Sequence, residues 1–271
     1  MMDHADKNSL AAKRLLLIRP QRQDDQLLTM LENKGAEVTH YPVMSIQAVV
    51  ESPQLEQKSP QLEKESPQPE PKSQKIKDQI LELDNFHKAI VVSGNAAELS
   101  LEWIDKYWPM FPVGIDYFAV GERTAELLKQ AGIDALHPRG RQNSEELLKL
   151  EPLQELDNQR IIIFRGVGGR EILGETLIER GARVEYCELY KRVINSEQLA
   201  LAQQQETDCL IAHSGELIQA MGEAGKAADT PVVVPSERVA AIARDLGYRQ
   251  VFSAKNALPE SMLAAVHKAF S

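Results

Sequence analysis

Cysteine is nearly missing from this chain. The two present, Cys187 and Cys209, lie far apart and form no CxxC pattern. That excludes a disulfide framework and a cysteine zinc site, and it fits a reducing compartment. Both read as core thiols. Long apolar runs are also lacking: residues 1–14 are polar, and Leu15 to Ile18 is too short for a signal-peptide core or a membrane span. The expectation is a cytoplasmic protein with no membrane partner. Nor is there an excess of positive charge, since 40 acidic against 31 basic residues give a formal charge of -9. A nucleic-acid partner is therefore not expected, and an anionic ligand would have to be met by a local basic patch. The six histidines show no metal-ligand spacing, and no catalytic triad stands out.

What the chain does contain is an organising segment from Ile161 to Arg192, IIIFRGVGGREILGETLIERGARVEYCELYKR. Ile161 to Phe164 is too short for a helix and rich in β-branched residues, so it reads as a buried parallel strand. Arg165-Gly166-Val167-Gly168-Gly169-Arg170 follows as a turn whose glycines permit positive φ and close backbone approach. From Glu171 to Arg180, Ile172, Leu173, Leu177 and Ile178 recur at helical spacing, and Gly181 ends the helix. Val184 to Tyr190 is the next strand. The result is a βαβ unit with backbone amides and two arginines at the carboxyl end of its first strand, where open α/β sheets bind ligands. The turn is neither GxGxxG nor GxxxxGKS/T, which discounts NAD and ATP. A purely structural turn is the alternative.

The plan recurs along the chain. Leu15 to Ile18 and Val38 to Val43 read as strands around a helix marked by Leu27, Leu28 and Leu31, and Arg19 to Gly35 has the same spacing as Arg165 to Gly181. Glu122-Arg123-Thr124-Ala125 before Gly132 is echoed by Glu237-Arg238-Val239-Ala240 before Gly247. Ala89 to Ser93 and Cys209 to Ser214 are apolar strands ending near a serine. Further strands are expected at Ile115 to Val120, Val232 to Val234 and Gln250 to Ser253. Helices are expected at Glu98 to Tyr107, Glu122 to Ala131, Glu216 to Ala224 and Arg238 to Leu246, and from Glu145 and Glu260 onward. Such alternation predicts an α/β fold of two doubly wound parallel-sheet lobes with a cleft between them. The halves differ by a surplus at Ser52 to Lys72, SPQLEQK, SPQLEKE, SPQPEPK, a low-complexity repeat read as a disordered insertion at about 51–77.

With these motifs the chain resembles the uroporphyrinogen-III synthase family. RGxxGRExLxxxLxxxGxxVxxxxxY, present as Arg165 through Tyr190, is the most specific piece, followed by AVGERTAELL at Ala119 to Leu128. The likeness runs from Arg14 to Phe270, omitting the proline-rich insertion. It implies lobes joined by a two-stranded hinge, with residues 14–41 and 191–271 in one lobe and 42–190 in the other. It also implies a monomeric cyclising lyase of haem biosynthesis, without metal or organic cofactor. Its substrate would be hydroxymethylbilane, handed over by the preceding deaminase and converted to uroporphyrinogen III and water through an azafulvene and a spiro intermediate. The linear substrate also closes unaided to the uninverted isomer, so an enzyme must hold a conformation and assist departure of water.

Within that resemblance Tyr190 takes the position of the family's catalytic tyrosine, a phenol able to donate to the departing hydroxyl. An aromatic that merely closes a strand is the alternative. Thr124 at a helix start and Ser93 and Ser214 at strand ends are candidate contacts for substrate acetate and propionate, against ordinary capping roles. Arg19, Arg123, Arg165, Arg170 and Arg238 are candidate carboxylate anchors, with Gly166 and Gly168 offering backbone amides. About half of the arginines are expected to be solvated surface only. Lys191 and Arg192 are alternatives that would fix the hinge, and His213 reads as a packed residue. Ser236 stands where the family often has glycine and Val239 where it often has threonine, which argues against a side-chain contact from position 239. The rival reading is a hinged cytosolic tetrapyrrole-binding protein without turnover.

Overall fold

A computed structural model describes residues 9–20, 25–50, 71–140, 142–169 and 171–271. Its strands are β1 (Arg14–Ile18), β2 (Glu37–Tyr41), β3 (Met44–Ala48), β4 (Lys88–Val91), β5 (Asp116–Ala119), β6 (Ala135–Leu136), β7 (Arg160–Gly166), β8 (Arg183–Ile194), β9 (Cys209–Ala212), β10 (Val232–Val234) and β11 (Val251–Ser253). Its helices are α1 (Gln26–Asn33), α2 (Pro71–Leu81), α3 (Gly94–Tyr107), α4 (Glu122–Gln130), α5 (Ser144–Leu147), α6 (Ile172–Glu179), α7 (Ser196–Gln204), α8 (Gly215–Met221), α9 (Glu237–Asp245) and α10 (Pro259–Ala269). Among the described residues no helix is long and apolar enough to cross a membrane.

Two compact units emerge, one of residues up to Ser45 with Val193–Ser271 and one of Ile46–Arg192. The chain changes unit inside β3 and inside β8, a few residues later than the expected boundaries at 41/42 and 190/191.

In the first unit five parallel strands run in the order β11-β10-β9-β1-β2. Every residue from Leu15 to Ile18 is buried, because helices cover both faces of the sheet. Leu16 and Ile18 face a cluster with Leu217, Ile218, Val239 and Ala240 of α8 and α9. Leu15 and Leu17 face the opposite cluster, with Leu27 and Leu31 of α1 and Met262 and Val266 of α10. Each such side chain contributes about 2 kcal/mol by burial.

The second unit has the order β3-β8-β7-β4-β5-β6. Ile162 and Phe164 of β7 pack with Ile76, Ile80, Ala96 and Trp103, while Ile161 and Ile163 pack with Leu147, Leu173 and Leu177 on the other face. The sheet is not wholly parallel. Val49 N–H donates to Leu189 O and Asn195 N–H to Val43 O, each at 2.9 Å, so β3 runs antiparallel to β8. The departure arises because the chain leaves one unit and returns to it along neighbouring strands of opposite direction.

The duplication seen in the sequence is a spatial one. The order β8-β7-β4-β5-β6 matches β2-β1-β9-β10-β11 strand for strand, but in the second unit the chain runs through β4, the equivalent of β9, before β7, the equivalent of β1. In both units strand order reverses at a switch point, between β1 and β9 and between β7 and β4, and the strands' carboxyl ends there carry the repeated motifs.

Several elements differ from the sequence reading. Residues 71–77, assigned above to the insertion, belong to α2, whose Ile76 and Ile80 are buried one turn apart. The rest of that insertion, 51–70, lies outside the described residues. Helix α3 starts at Gly94 rather than Glu98, because the Ser93 side chain caps it. The helix at Glu145 lasts only to Leu147, with a 3-10 turn at Glu151–Leu153 after it. Helix α7, capped by Asn195, was not anticipated.

Candidate active site at the strand ends

At the switch point of the second unit, β7 ends in Arg165 and Gly166, and the pairing with β8 shifts there so that Gly166 lies opposite Tyr190. Val167 N–H donates to Tyr190 O at 2.7 Å. A Cβ at Gly166 would stand 2.5 Å from Tyr190 Cε2 and 2.7 Å from Cζ, so this strand end admits the phenol ring only because residue 166 is glycine. The ring is 1% exposed. Its hydroxyl oxygen lies 3.0 Å from Ser93 Oγ at the end of the neighbouring strand β4. Ser93 is half-buried and also accepts a hydrogen bond from Ala96 N–H at 3.1 Å, as the cap of α3. The Arg192 guanidinium carbon stands 5.7 Å from the Tyr190 ring centroid. Tyr190, Ser93 and Gly166 are thus brought together from three sequence-distant segments.

Arg165 is placed differently from a free carboxylate anchor. It is 5% exposed. Its guanidinium donates to Gly166 O at 3.3 Å, Gly169 O at 2.9 Å and Glu171 at 3.0 Å, and lies 4.3 Å from the Tyr186 ring centroid. Glu188 completes the acidic surroundings at 3.6 Å. The hydrogen bond from Arg165, then its charge, hold the Glu171 carboxyl below the usual range. Burial, then the Glu171 charge, push the Tyr186 phenol up. A buried guanidinium needs such partners, and here they bind it to its own turn. Gly168 in that turn has φ 69, while Arg170 lies outside the described residues.

Thr124 is buried in the first turn of α4, which follows β5 on the far side of β4, and its neighbour Arg123 is exposed. Carboxyl ends of three adjacent strands therefore carry Arg165 and Gly166, Ser93, and the Gly121 to Thr124 turn.

The first unit repeats the arrangement. Arg19, 4% exposed, donates to Asp25 at 3.2 Å, and Asp25 in turn accepts from Leu28 N–H at 3.1 Å as the cap of α1. Arg19 Nη1 also lies 3.4 Å from His213 Nε2. A guanidinium can only donate, so in this contact Nε2 is the accepting side. His40 Nε2 donates to Arg19 O at 3.0 Å. Ser214 caps α8, accepting from Leu217 N–H at 3.3 Å, as Ser93 caps α3. Val239, the counterpart of Thr124, is packed in the core, and Arg238 beside it is exposed. Arg19 is thus held by its own unit, as Arg165 is. Asp25 and His40 were missed by sequence reasoning. Asp25 was within reach of it, since Asp25 follows Arg19 at the spacing that separates Glu171 from Arg165.

Comparison with known proteins bears on the fold and the family. The family model described as uroporphyrinogen-III synthase HemD matches residues 25–264. Over 267 residues the chain is 30% identical to the uroporphyrinogen-III synthase of Escherichia coli (strain K12), covering 93% of this chain and 99% of that one. Over 272 residues it is 30% identical to that of Salmonella typhimurium (strain LT2), with coverage of 93% and 99%. Among solved structures, a mutant uroporphyrinogen III synthase from the extremely thermophilic bacterium Thermus thermophilus superposes with a TM-score of 0.61 at 18% identity, covering 96% of this chain and 99% of that one. The enzyme from Helicobacter pylori 26695 gives 0.56 at 12% identity, covering 94% and 99%. The solved structures speak for the fold, and the family model with the near full-length relatives speaks for descent: this chain belongs to the uroporphyrinogen-III synthase family.

Proposed function

We propose that the chain closes hydroxymethylbilane to uroporphyrinogen III with inversion of the last pyrrole ring and release of water, as a cyclising lyase. The observation that carries the reading is the buried phenol of Tyr190, seated over Gly166 and 3.0 Å from the Ser93 hydroxyl at a sheet switch point. Loss of the substrate hydroxyl leaves an electrophilic azafulvene, and a hydroxyl donor held against the departing oxygen stabilises the charge that develops there. Attack by the substituted carbon of the last ring gives the spiro intermediate, whose fragmentation and reclosure complete the inversion.

Spontaneous closure gives the other isomer, so the protein's main task is to orient a flexible octacarboxylate. Exposed Arg123 and Arg238 on the first turns of α4 and α9, with the backbone amides of the Gly166 to Gly169 turn, are suited to its acetate and propionate groups. Arg165 acts one step back by shaping its turn, and Arg19 by its pair with the helix-capping Asp25. In this reading β3 and β8 serve as the hinge, and the enzyme works as a cytoplasmic monomer receiving its substrate from the preceding deaminase.

Isomer analysis tests the reading. Purified protein is mixed with freshly generated hydroxymethylbilane, the products are oxidised, and type I and type III porphyrins are resolved. Type III should predominate. Type I alone, at the rate of a protein-free control, would overturn the proposal, and tetrapyrrole binding without turnover would replace it with a binding function.

A further inference from the structure

Burial orders the two hydroxyls of the site. Tyr190 is 1% exposed, whereas Ser93, 3.0 Å away, is half-buried and so the more solvent-accessible of the two residues. A buried phenol must place its proton on an acceptor, and among the described residues that acceptor is Ser93 Oγ. If Ser93 donated instead, the buried phenol proton would have no acceptor among the described residues. Ser93 Oγ already accepts from Ala96 N–H at 3.1 Å, so with the Tyr190 proton both of its lone pairs are in use. What is left is its single proton, which must be given outward. A hydroxyl accepting two hydrogen bonds is polarised by both and becomes a stronger donor.

Resting on the function proposed above, we infer that Ser93 is the catalytic residue that hydrogen-bonds to the departing hydroxyl, with Tyr190 a positioning residue that acts through it. In the step served, the carbon–oxygen bond of the hydroxymethyl group breaks and its electron pair stays on oxygen. The N–H bonding pair of the adjacent pyrrole is drawn into the azafulvene, and the proton released from that nitrogen completes the water. Ser93 keeps its proton overall, and its hydrogen bond to the oxygen strengthens as charge develops. Gly166 gives the Tyr190 ring its place, and β8 and α3 hold the two oxygens in line.

The test is a double-mutant cycle on type III formation, with the spontaneous type I background subtracted. Ser93→Ala should lower kcat about 100-fold with KM unchanged, and Tyr190→Phe about 10-fold. The double variant should be no slower than Ser93→Ala, because on this inference the phenol acts through its Ser93 hydrogen bond. Ser93→Thr, which keeps both hydroxyl and cap, should recover activity to within a few-fold. Thermal unfolding of each variant checks the fold, and Ser93→Gly replaces Ser93→Ala if the latter does not fold. A Ser93→Ala effect no larger than that of Tyr190→Phe, or effects that multiply in the double variant, would overturn the inference. A wild-type protein that yields only type I at the control rate would instead remove the function on which it rests.

Discussion

Arg165 and Glu171, joined at 3.0 Å, are the counterparts of Arg19 and Asp25, joined at 3.2 Å, so each unit pairs one buried arginine at a strand end with one acid at the following helix start. The two pairs are not equally buried. Asp25 is 6% exposed at its side chain and Glu171 58%.

That difference predicts unequal costs. Asp25→Ala removes a buried carboxylate from beside a buried guanidinium together with the cap of α1, and it should destabilise the protein by about 3 kcal/mol. Glu171→Ala should cost clearly less, since water screens its pair. Urea unfolding of the two variants beside wild type measures the difference, and equal midpoints would refute it.

Acid should weaken the second pair in a defined direction. Hydrogen bonding and charge from Arg165 lower the folded-state pKa of Glu171, and Arg14 does the same for Asp208, chiefly by a side-chain hydrogen bond. Their stabilisation is therefore present in full above the ordinary carboxylate pKa of about 4 and is lost as pH falls through the lower folded values. In Glu171→Gln the urea midpoint should fall less steeply with acidification than in wild type. Parallel curves would count against the assignment.

Gly166→Ala should act on the site more than on the fold. The added methyl would stand 2.5 Å from Tyr190 Cε2, so the ring must move, at a cost of about 1–3 kcal/mol. Movement of the ring takes its hydroxyl away from Ser93. We expect a loss of type III turnover larger than that of Tyr190→Phe, with a protein that still unfolds cooperatively. Full activity would show that the close approach is unimportant.

Helix α2 should prove part of the core of its unit. Ile80 is wholly buried among Ile76, Trp103 and Ile104. Ile80→Ala should cost about 3 kcal/mol by denaturant unfolding, as for other large-to-small core changes, whereas a surface change in the same helix such as Lys75→Ala should be nearly silent.

Much of this architecture was legible because it is local. Each βαβ segment carries its own strand, turn and helix, so the shared spacing of Arg19 to Gly35 and Arg165 to Gly181 survives as a repeat that a single chain displays. Helix α2 was hidden because its neighbours are low in apolar content and only Ile76 and Ile80 mark its buried face. The functional readings of the arginines were less legible still. Arg165 and Arg123 look alike in sequence, and only burial separates the guanidinium that ties a turn from the one that meets solvent. The meeting of Ser93 with Tyr190 depends on β4 and β7 pairing across a long stretch of chain, which spacing does not reveal.

The two passages through β3 and β8 also set a timetable for synthesis. Residues 46–192 leave the ribosome as one continuous unit and can complete their sheet while the chain is still growing. β1 and β2 emerge earlier but must wait, because β1 pairs on its other side with β9, which begins only at Cys209. The first unit to be started is thus the last to be finished, and its long-range strand pairing is the slow step expected of the nascent chain.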